Sequence, residues 1–230
     1  MLELILPAGV ESQECFGATM CPELVEGHQH LGGILFPEEE QIIAQAVPAR
    51  RREYATVRCC ARACLSRLGY RPVPILPGVG GAPIWPAGIQ GSMTHCAGYA
   101  AAAVGPSSRF SGIGIDAEPD APLPEGVLDL IATPAEQERL AETPPAPDSP
   151  HWDRLLFSAK EAIYKAWFPL VGEWLDHQQA EILIQPDQGT FTAVLSRDGL
   201  NLHGRPIRHL PGRWIQDRGI LLTAVVLGST

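Results

Sequence analysis

Two acidic segments of the chain, Gly112–Pro119 and Trp152–Phe168, contain residue types that suit metal-assisted phosphate chemistry. Mg²⁺ is typically bound by one or two carboxylates together with substrate phosphates and water, and nearby lysines add positive charge for the same phosphates. The pattern therefore predicts a divalent metal that holds a phosphorylated substrate. The carboxylates and lysines concerned are Asp116, Glu118, Lys160, Glu161 and Lys165.

The first segment has the alternation of a β-strand that ends at Pro119. Successive strand side chains point to opposite faces, so Asp116 and Glu118 share one face. Gly112 and Gly114 lie on that face too, and the absence of side chains there predicts close approach of a ligand. Two carboxylates at this spacing need a counter-charge, which a metal ion supplies. The alternative is a strand end that carries two hydrated acids.

The second segment has the spacing of an amphipathic helix. Glu161 and Lys165 form an i,i+4 pair, and on an exposed surface such a pair would contribute only about 0.3–0.5 kcal/mol. Phe157, Tyr164 and Phe168 surround the polar stripe, which predicts a helix buried on several sides with its charges facing a cleft. Buried charges need partners, and the acidic strand would provide them.

A third segment, Pro48–Leu68, predicts a basic helix. Arg51, Arg58 and Arg62 fall on one helical face, and the planar guanidinium fork matches phosphate geometry. A solvated basic surface is the alternative interpretation.

Composition limits the classes of function. The chain has 230 residues and a net charge of −9, which disfavours general binding to nucleic acids or anionic membranes. Six cysteines fit a reducing cytoplasm, so we expect a cytoplasmic protein. The apolar run in Met1–Pro7 is too short for a signal peptide or a membrane span and predicts a strand.

Local patterns predict the remaining elements. Pro37 should open a short helix that runs to Val47, and Thr133 with Pro134 should begin another that runs to about Leu140. Proline and glycine make residues 70–91 a loop. Strands are predicted near 92–94, 100–104, 180–185, 190–196 and 220–227, and residues 212–219 are expected to pair with the last of these.

Taken together, these motifs resemble one enzyme family. The D-x-E motif at a strand end, followed by W-x(7)-K-E-A-x-x-K, resembles the Sfp/EntD-type 4′-phosphopantetheinyl transferases, and the actinobacterial members most closely. The resemblance runs from about Pro48 to Leu227. It includes the blocks Arg50–Tyr54, Thr56–Arg58, Pro74–Leu76 and Gly91–Cys96.

The resemblance implies an α+β monomer of two similar lobes with pseudo-two-fold symmetry. We expect residues 1–115 to form the N-terminal lobe, with the arginine helix and His95, and residues 116–230 the C-terminal lobe, with the metal site. Coenzyme A would bind between the lobes. Its 4′-phosphopantetheine arm would pass to a serine of an acyl or peptidyl carrier protein, with release of 3′,5′-ADP.

The resemblance also assigns roles to residues. Mg²⁺, or Mn²⁺ in its place, would be held by Asp116, Glu118 and Glu161, and Glu161 would also take the proton of the carrier serine. Lys165 would stabilise the departing 3′,5′-ADP, and Lys160 would contact phosphate. The remaining expected CoA ligands are Arg50 or Arg51, Arg58, Thr94 and His95.

One departure from the family pattern concerns a loop. Many members have a lysine in a Gly-Lys-Pro-type loop between the arginine helix and the histidine, whereas Pro77–Pro83 has none. CoA affinity is therefore expected to depend more heavily on the remaining cations.

Two other functions share these motifs. A metal-dependent CoA pyrophosphate hydrolase would use water in place of the serine. A non-catalytic module that binds CoA or a carrier would need no acid triad. The sequence leaves open whether the carriers serve fatty acid, polyketide, peptide or siderophore synthesis.

Overall fold

The computed structural model describes residues 1–17, 34–143, 146–147, 149–196, 200–202 and 205–229. The long helices and the sheets of the described chain confirm the predicted α+β class. No helix in the described ranges is long and apolar enough to cross a membrane.

The helices and strands are numbered here in chain order. The helices are α1 (Pro37–Ile42), α2 (Pro48–Arg67), α3 (Val127–Ile131), α4 (Pro134–Glu142) and α5 (Trp152–Val171). The strands are β1 (Glu11–Phe16), β2 (Ile89–Cys96), β3 (Tyr99–Pro106), β4 (Phe110–Pro119), β5 (Ala180–Gln185), β6 (Thr190–Leu195), β7 (Leu200–Leu202), β8 (Arg205–Ile207), β9 (His209–Asp217) and β10 (Ile220–Gly228).

Helix α2 packs on a three-stranded antiparallel sheet of order β1-β3-β2. Pro48 occupies the first turn, where a missing N–H costs nothing, and the helix ends at Arg67 before Gly69 with its positive φ. Its buried face carries small residues that fit against the alanine-rich strand β3. This half of the molecule supplies the arginines of the predicted CoA site.

Helix α5 packs on a five-stranded sheet of order β4-β10-β9-β6-β5. Gly112 and Gly114 of β4 face this helix, and a β-carbon at Gly114 would collide with the carbonyl oxygen of Ala162. The predicted role of these glycines was therefore wrong: the backbone that approaches them closely is that of α5, not a ligand. Their small size brings the acidic strand directly against the helix that carries Glu161 and Lys165.

The two halves meet where β2 runs beside β4. The hydroxyls of Ser92 and Thr94 accept hydrogen bonds from the backbone N–H groups of Ile115 (3.1 Å) and Ala117 (3.0 Å). An apolar cluster on the face of β4 opposite Asp116 contains residues of β3, β4 and β10. The join fixes Thr94 and His95 of β2 relative to Asp116 of β4.

Most predicted elements agree with the structure within a few residues at each end, although α1 ends at Ile42 rather than Val47. One prediction was wrong in type. Within Met1–Pro7, residues Leu2–Ile5 form a 3₁₀ turn, whose Leu2 and Ile5 are buried in the cluster between the sheets. The lobe boundary at residues 115/116 stays a prediction; it lies within β4, and the nearest break in regular structure follows Pro119.

Candidate active site

A cleft of about 570 Å³ lies between the α2 half and the α5 half of the molecule. Helix α2 and strand β2 form one wall, and the middle of α5 forms the other. Several predicted site residues from both halves therefore line one space. The polar and aromatic residues along the cleft include Arg50, Tyr54, Arg58, Ser92, Thr94, His95, Glu161, Tyr164, Lys165 and Phe168.

Asp116 lies behind the cleft wall and is only 4% exposed. Its Oδ1 accepts hydrogen bonds from Lys165 Nζ at 2.7 Å and Thr94 Oγ1 at 3.3 Å, and its Oδ2 accepts one from Ser158 Oγ at 2.9 Å. Burial raises the pKa of Asp116, although Lys165 and Ser158 act in the opposite direction. Two of its partners line the cleft, so the carboxylate is joined to the cavity through them.

Glu118 shares the strand face of Asp116, as the alternation predicted. Its Oε2 accepts a hydrogen bond from Arg154 Nη1 at 2.9 Å, and Arg154 also donates to the carbonyls of Ala121 and Pro122. Burial raises the pKa of Glu118, and the nearby charge of Asp116 raises it further. Burial therefore disfavours the ionised form of both carboxylates, and the charge of Asp116 adds to this effect at Glu118.

Glu161 lines the cleft and interacts with a residue that the sequence analysis did not single out. Its Oε1 lies 3.0 Å from His177 Nε2, and this hydrogen bond lowers the pKa of Glu161. The predicted pairing with Lys165 is replaced, because Lys165 reaches Asp116 and the carbonyl of Ile115 instead. Lys165 nevertheless lines the cleft and stays 27% exposed.

Lys160 lies outside the cleft, in the body of the C-terminal half. Its side chain is 1% exposed, and the ammonium group donates to Glu136 Oε2 (2.8 Å), the His177 carbonyl (2.6 Å) and the Ala180 carbonyl (2.8 Å). These bonds use its three hydrogens, so none is left for a phosphate. In this conformation Lys160 therefore does not make the predicted phosphate contact; the side chain ties α5 to α4 and to the chain where β5 begins.

Arg50 and His95 contact each other within the wall that α2 and β2 form, through Nη1 of Arg50 and Nε2 of His95. Arg51 is exposed and is not among the residues that line the cleft. Of the two arginines that the sequence left open, the structure thus places Arg50 in the cavity. Burial lowers the pKa of His95, and Arg50 contributes to the lowering, so a bound phosphate would find a neutral imidazole beside a cation at neutral pH.

Arg58 also lines the cleft but is 5% exposed. Its Nε donates to the Ile75 carbonyl at 3.0 Å and lies 3.5 Å from Glu39 Oε1, and its guanidinium stacks over the Tyr54 ring at 3.1 Å. Burial lowers the pKa of Arg58 to about 10. Arg58 is thus a fixed cation that also joins α2 to the chain around Ile75, and Arg62 is held by the same buried carboxylate, Glu39.

The loop without a lysine closes one end of the cleft. Gly80, with a φ of 63°, packs against the Phe168 ring so closely that a β-carbon would collide with it. Gly81, Ala82 and Pro83 line the cavity and bring no charge to it. The cations that line the cavity, Arg50, Arg58 and Lys165, therefore come from α2 and α5.

The donor set of Asp116, Glu118 and Glu161 is composed of oxygens, which fits Mg²⁺ or Mn²⁺. In this conformation each carboxylate is paired with a protein cation or a histidine, and no three acidic, histidine or cysteine side chains of the described residues converge on one point. The raised pKa values of Asp116 and Glu118 show that additional positive charge would stabilise their ionised forms. The carboxylates therefore have the chemistry of a divalent-cation site. The cation would add its charge to that of Lys165, which pairs with Asp116, and of Arg154, which pairs with Glu118.

Four residues in the site were missed as partners by sequence reasoning. Arg154 and Ser158 belong to α5, but the sequence analysis gave them no role. Thr223 bonds to Ser158 at 2.9 Å, and His177 bonds to Glu161; both come from distant parts of the chain with no motif around them. Tertiary packing alone brings these two to the site.

Comparison with known proteins agrees with the geometry. Residues 38–105 match the family model described as the 4′-phosphopantetheinyl transferase N-terminal domain, and residues 112–207 match that of the 4′-phosphopantetheinyl transferase superfamily. The chain is 50% identical over 196 residues to the 4′-phosphopantetheinyl transferase Svp of Streptomyces mobaraensis, covering 85% of this chain and 80% of Svp.

Two further relatives are similar over most of their length. The 4′-phosphopantetheinyl transferase PptT of Mycobacterium tuberculosis is 50% identical over 195 residues, or 83% of this chain and 85% of PptT. The 4′-phosphopantetheinyl transferase Npt of Nocardia iowensis is 47% identical over 233 residues, or 98% of this chain and 99% of Npt.

Proposed function

We propose how the cleft works from the premise that this chain belongs to the 4′-phosphopantetheinyl transferase superfamily, whose members transfer the phosphopantetheine arm of CoA to carrier proteins. The observation that carries the proposal is that Arg50 and His95 of one half, and Glu161 and Lys165 of the other, line the same cavity. CoA lies in this cavity, with its phosphates toward Arg50, His95 and Lys165.

The phosphate ends of CoA are read by two groups of residues. Arg50 and His95 bind the 3′-phosphate through charge-assisted hydrogen bonds, and Arg58 adds a fixed positive charge behind them. Lys165, which already reaches Asp116, donates to the pyrophosphate and stabilises the 3′,5′-ADP that departs. Thr94 donates to Asp116 and so helps to hold the carboxylate that the reaction needs.

Asp116, Glu118 and Glu161 would hold Mg²⁺ or Mn²⁺, directly or through water, and the metal would neutralise charge on the pyrophosphate. Glu161 accepts the proton of the carrier serine, because its lowered pKa keeps the carboxylate ionised and the residue lines the cavity. The serine oxygen forms a bond to the phosphorus of the arm as the bond from that phosphorus to 3′,5′-ADP breaks.

We expect transfer to require a divalent metal. Burial raises the pKa values of Asp116 and Glu118, and a divalent cation beside them would favour their ionised forms. Release of 3′,5′-ADP should fall to background in excess chelator and return when Mg²⁺ or Mn²⁺ is added. An enzyme that keeps its full rate in excess chelator would contradict the metal role of these carboxylates.

We expect dephospho-CoA to be a poorer donor than CoA. A charge-assisted hydrogen bond to a phosphate is worth about 1.5–3 kcal/mol, and each 1.4 kcal/mol is about tenfold in affinity. Comparison of KM for the two donors should show a gap of about tenfold or more, and His95→Ala should narrow it.

The neighbouring arginines provide the matched pair for this test. Arg50→Ala should narrow the difference in KM between CoA and dephospho-CoA. Arg51→Ala should leave this difference unchanged, because Arg51 is exposed and does not line the cavity. Equal use of both donors by the wild-type enzyme would show that neither His95 nor Arg50 reads the 3′-phosphate.

The chain is proposed to act as a monomer, because both walls of the cleft come from one chain. Its partners are acyl or peptidyl carrier proteins, from any of the pathways that the sequence left open. The cytoplasmic location expected from the cysteines stays a prediction.

A further inference from the structure

The segment between α5 and β5 contains a histidine that approaches the proposed base. His177 begins a short 3₁₀ turn, His177–Gln179, and its Nε2 lies 3.0 Å from Glu161 Oε1. Both side chains are about one-quarter exposed, at 26% and 27%. A hydrogen bond to this oxygen leaves Oε2 of Glu161 without a hydrogen-bond partner among the described residues.

His177 is held from its backbone as well as its ring. Its carbonyl accepts a 2.6 Å hydrogen bond from Lys160, which belongs to a fully buried pair with Glu136. Two consecutive residues of α5 therefore bind His177. Lys160 binds the main-chain carbonyl of His177, and Glu161 binds its imidazole.

A stacking contact with α5 and a hydrogen bond within the turn restrain His177 further. The His177 ring stacks on Phe157 with an interplanar angle of 12°, and the side chain of Asp176 accepts a hydrogen bond from the backbone of Gln178. An exposed ion pair contributes little because ordering two mobile side chains offsets the attraction. Here the imidazole is already ordered, so its hydrogen bond can fix the direction of the Glu161 carboxylate.

We propose that His177 is a positioning residue for the transfer reaction: it binds one oxygen of Glu161 and directs the other oxygen toward the carrier serine. The inference rests on the proposed role of Glu161 as the proton acceptor. The arrangement follows the general rule that a catalytic base is oriented by a third group, which does not itself touch the substrate.

Three histidine variants test the proposal. His177→Phe keeps the stacking on Phe157 and removes the hydrogen bond, and His177→Gln restores a donor at a similar reach. His151→Phe is the matched control, because His151 pairs with Asp120 at 2.9 Å outside the cleft. Thermal unfolding of each variant should confirm that it folds.

We expect His177→Phe to lower kcat about tenfold or more, the usual scale for loss of an orienting partner, with KM for CoA within about twofold. His177→Gln should recover most of the rate, and His151→Phe should match the wild type. A wild-type kcat for His177→Phe, or a kcat for His177→Gln as low as that of His177→Phe, would overturn the proposal.

A double variant separates this inference from the proposed function. In single turnovers with excess enzyme, His177→Phe should have no further effect when Glu161→Gln is already present, because His177 acts through Glu161. An equal loss in both backgrounds would show that His177 acts elsewhere, which overturns the inference alone. A wild-type rate for Glu161→Gln by itself would instead contradict the role of Glu161 in the proposed function.

Discussion

Asp116→Asn should reduce transfer about 10³-fold, because loss of a metal-binding charge removes several kcal/mol of transition-state stabilisation and each 1.36 kcal/mol is tenfold in rate. The amide keeps the volume of the carboxylate within the buried site. It removes the negative charge that binds Lys165 at 2.7 Å and that is proposed to bind the metal. The rate of 3′,5′-ADP release at saturating CoA, carrier and Mg²⁺ measures the effect.

Asp120→Asn is the matched control for this prediction. Asp120 lies just beyond the end of the same strand, but its carboxylate binds His151 and Gln216 and does not reach the cleft. It should transfer at the wild-type rate. An Asp116→Asn enzyme within tenfold of the wild type would show that Asp116 serves only to anchor Lys165 and Ser158.

Glu161→Gln should lower kcat at least about 10²-fold, the usual contribution of a general base. Glutamine keeps an oxygen for His177 to bind, so the local shape is retained. It cannot accept the serine proton, and it is a weaker metal ligand. Because the hydrogen bond from His177 lowers the pKa of Glu161, the native carboxylate is ionised at neutral pH and ready to accept that proton.

Glu181→Gln provides the comparison for Glu161→Gln. Glu181 forms an exposed pair with Arg139 at 2.9 Å, and its loss should leave kcat unchanged. Glu161→Asp should keep partial activity, because it retains a carboxylate at a shorter reach. A wild-type kcat for Glu161→Gln would mean that the serine proton leaves by another route.

The period-2 and period-3.6 patterns predicted the parts of the site that depend on a single element. Strand alternation placed Asp116 and Glu118 on one face, and helical spacing placed Glu161 and Lys165 on one side of α5. Consecutive helical residues do not face the same way, and Lys160 is buried against Glu136 whereas Glu161 lines the cleft. The assignment of Lys160 to phosphate came from the resemblance, and its buried bonds to Glu136 account for the lysine without a ligand.

Contacts between elements lay beyond the reach of sequence patterns. Helical periodicity with Arg58 favoured Arg51, yet Arg50 faces the cavity because it reaches His95 on a different element. The glycines of β4 predicted close approach of a ligand, but the group that approaches them is the backbone of α5, which one sequence does not identify. His177 and Thr223 carry no local pattern, since their positions depend on how α5 packs against the C-terminal sheet.

The most direct test of the account is the intact mass of a purified apo carrier protein after incubation with this enzyme, CoA and Mg²⁺. We predict that the carrier gains the mass of one phosphopantetheine group, that an equal amount of 3′,5′-ADP appears, and that replacement of the carrier serine by alanine prevents both. Cleavage of CoA at its pyrophosphate with no gain in carrier mass would contradict the account and indicate a hydrolase. Intact CoA and an unmodified carrier would contradict it as well and indicate a binding module.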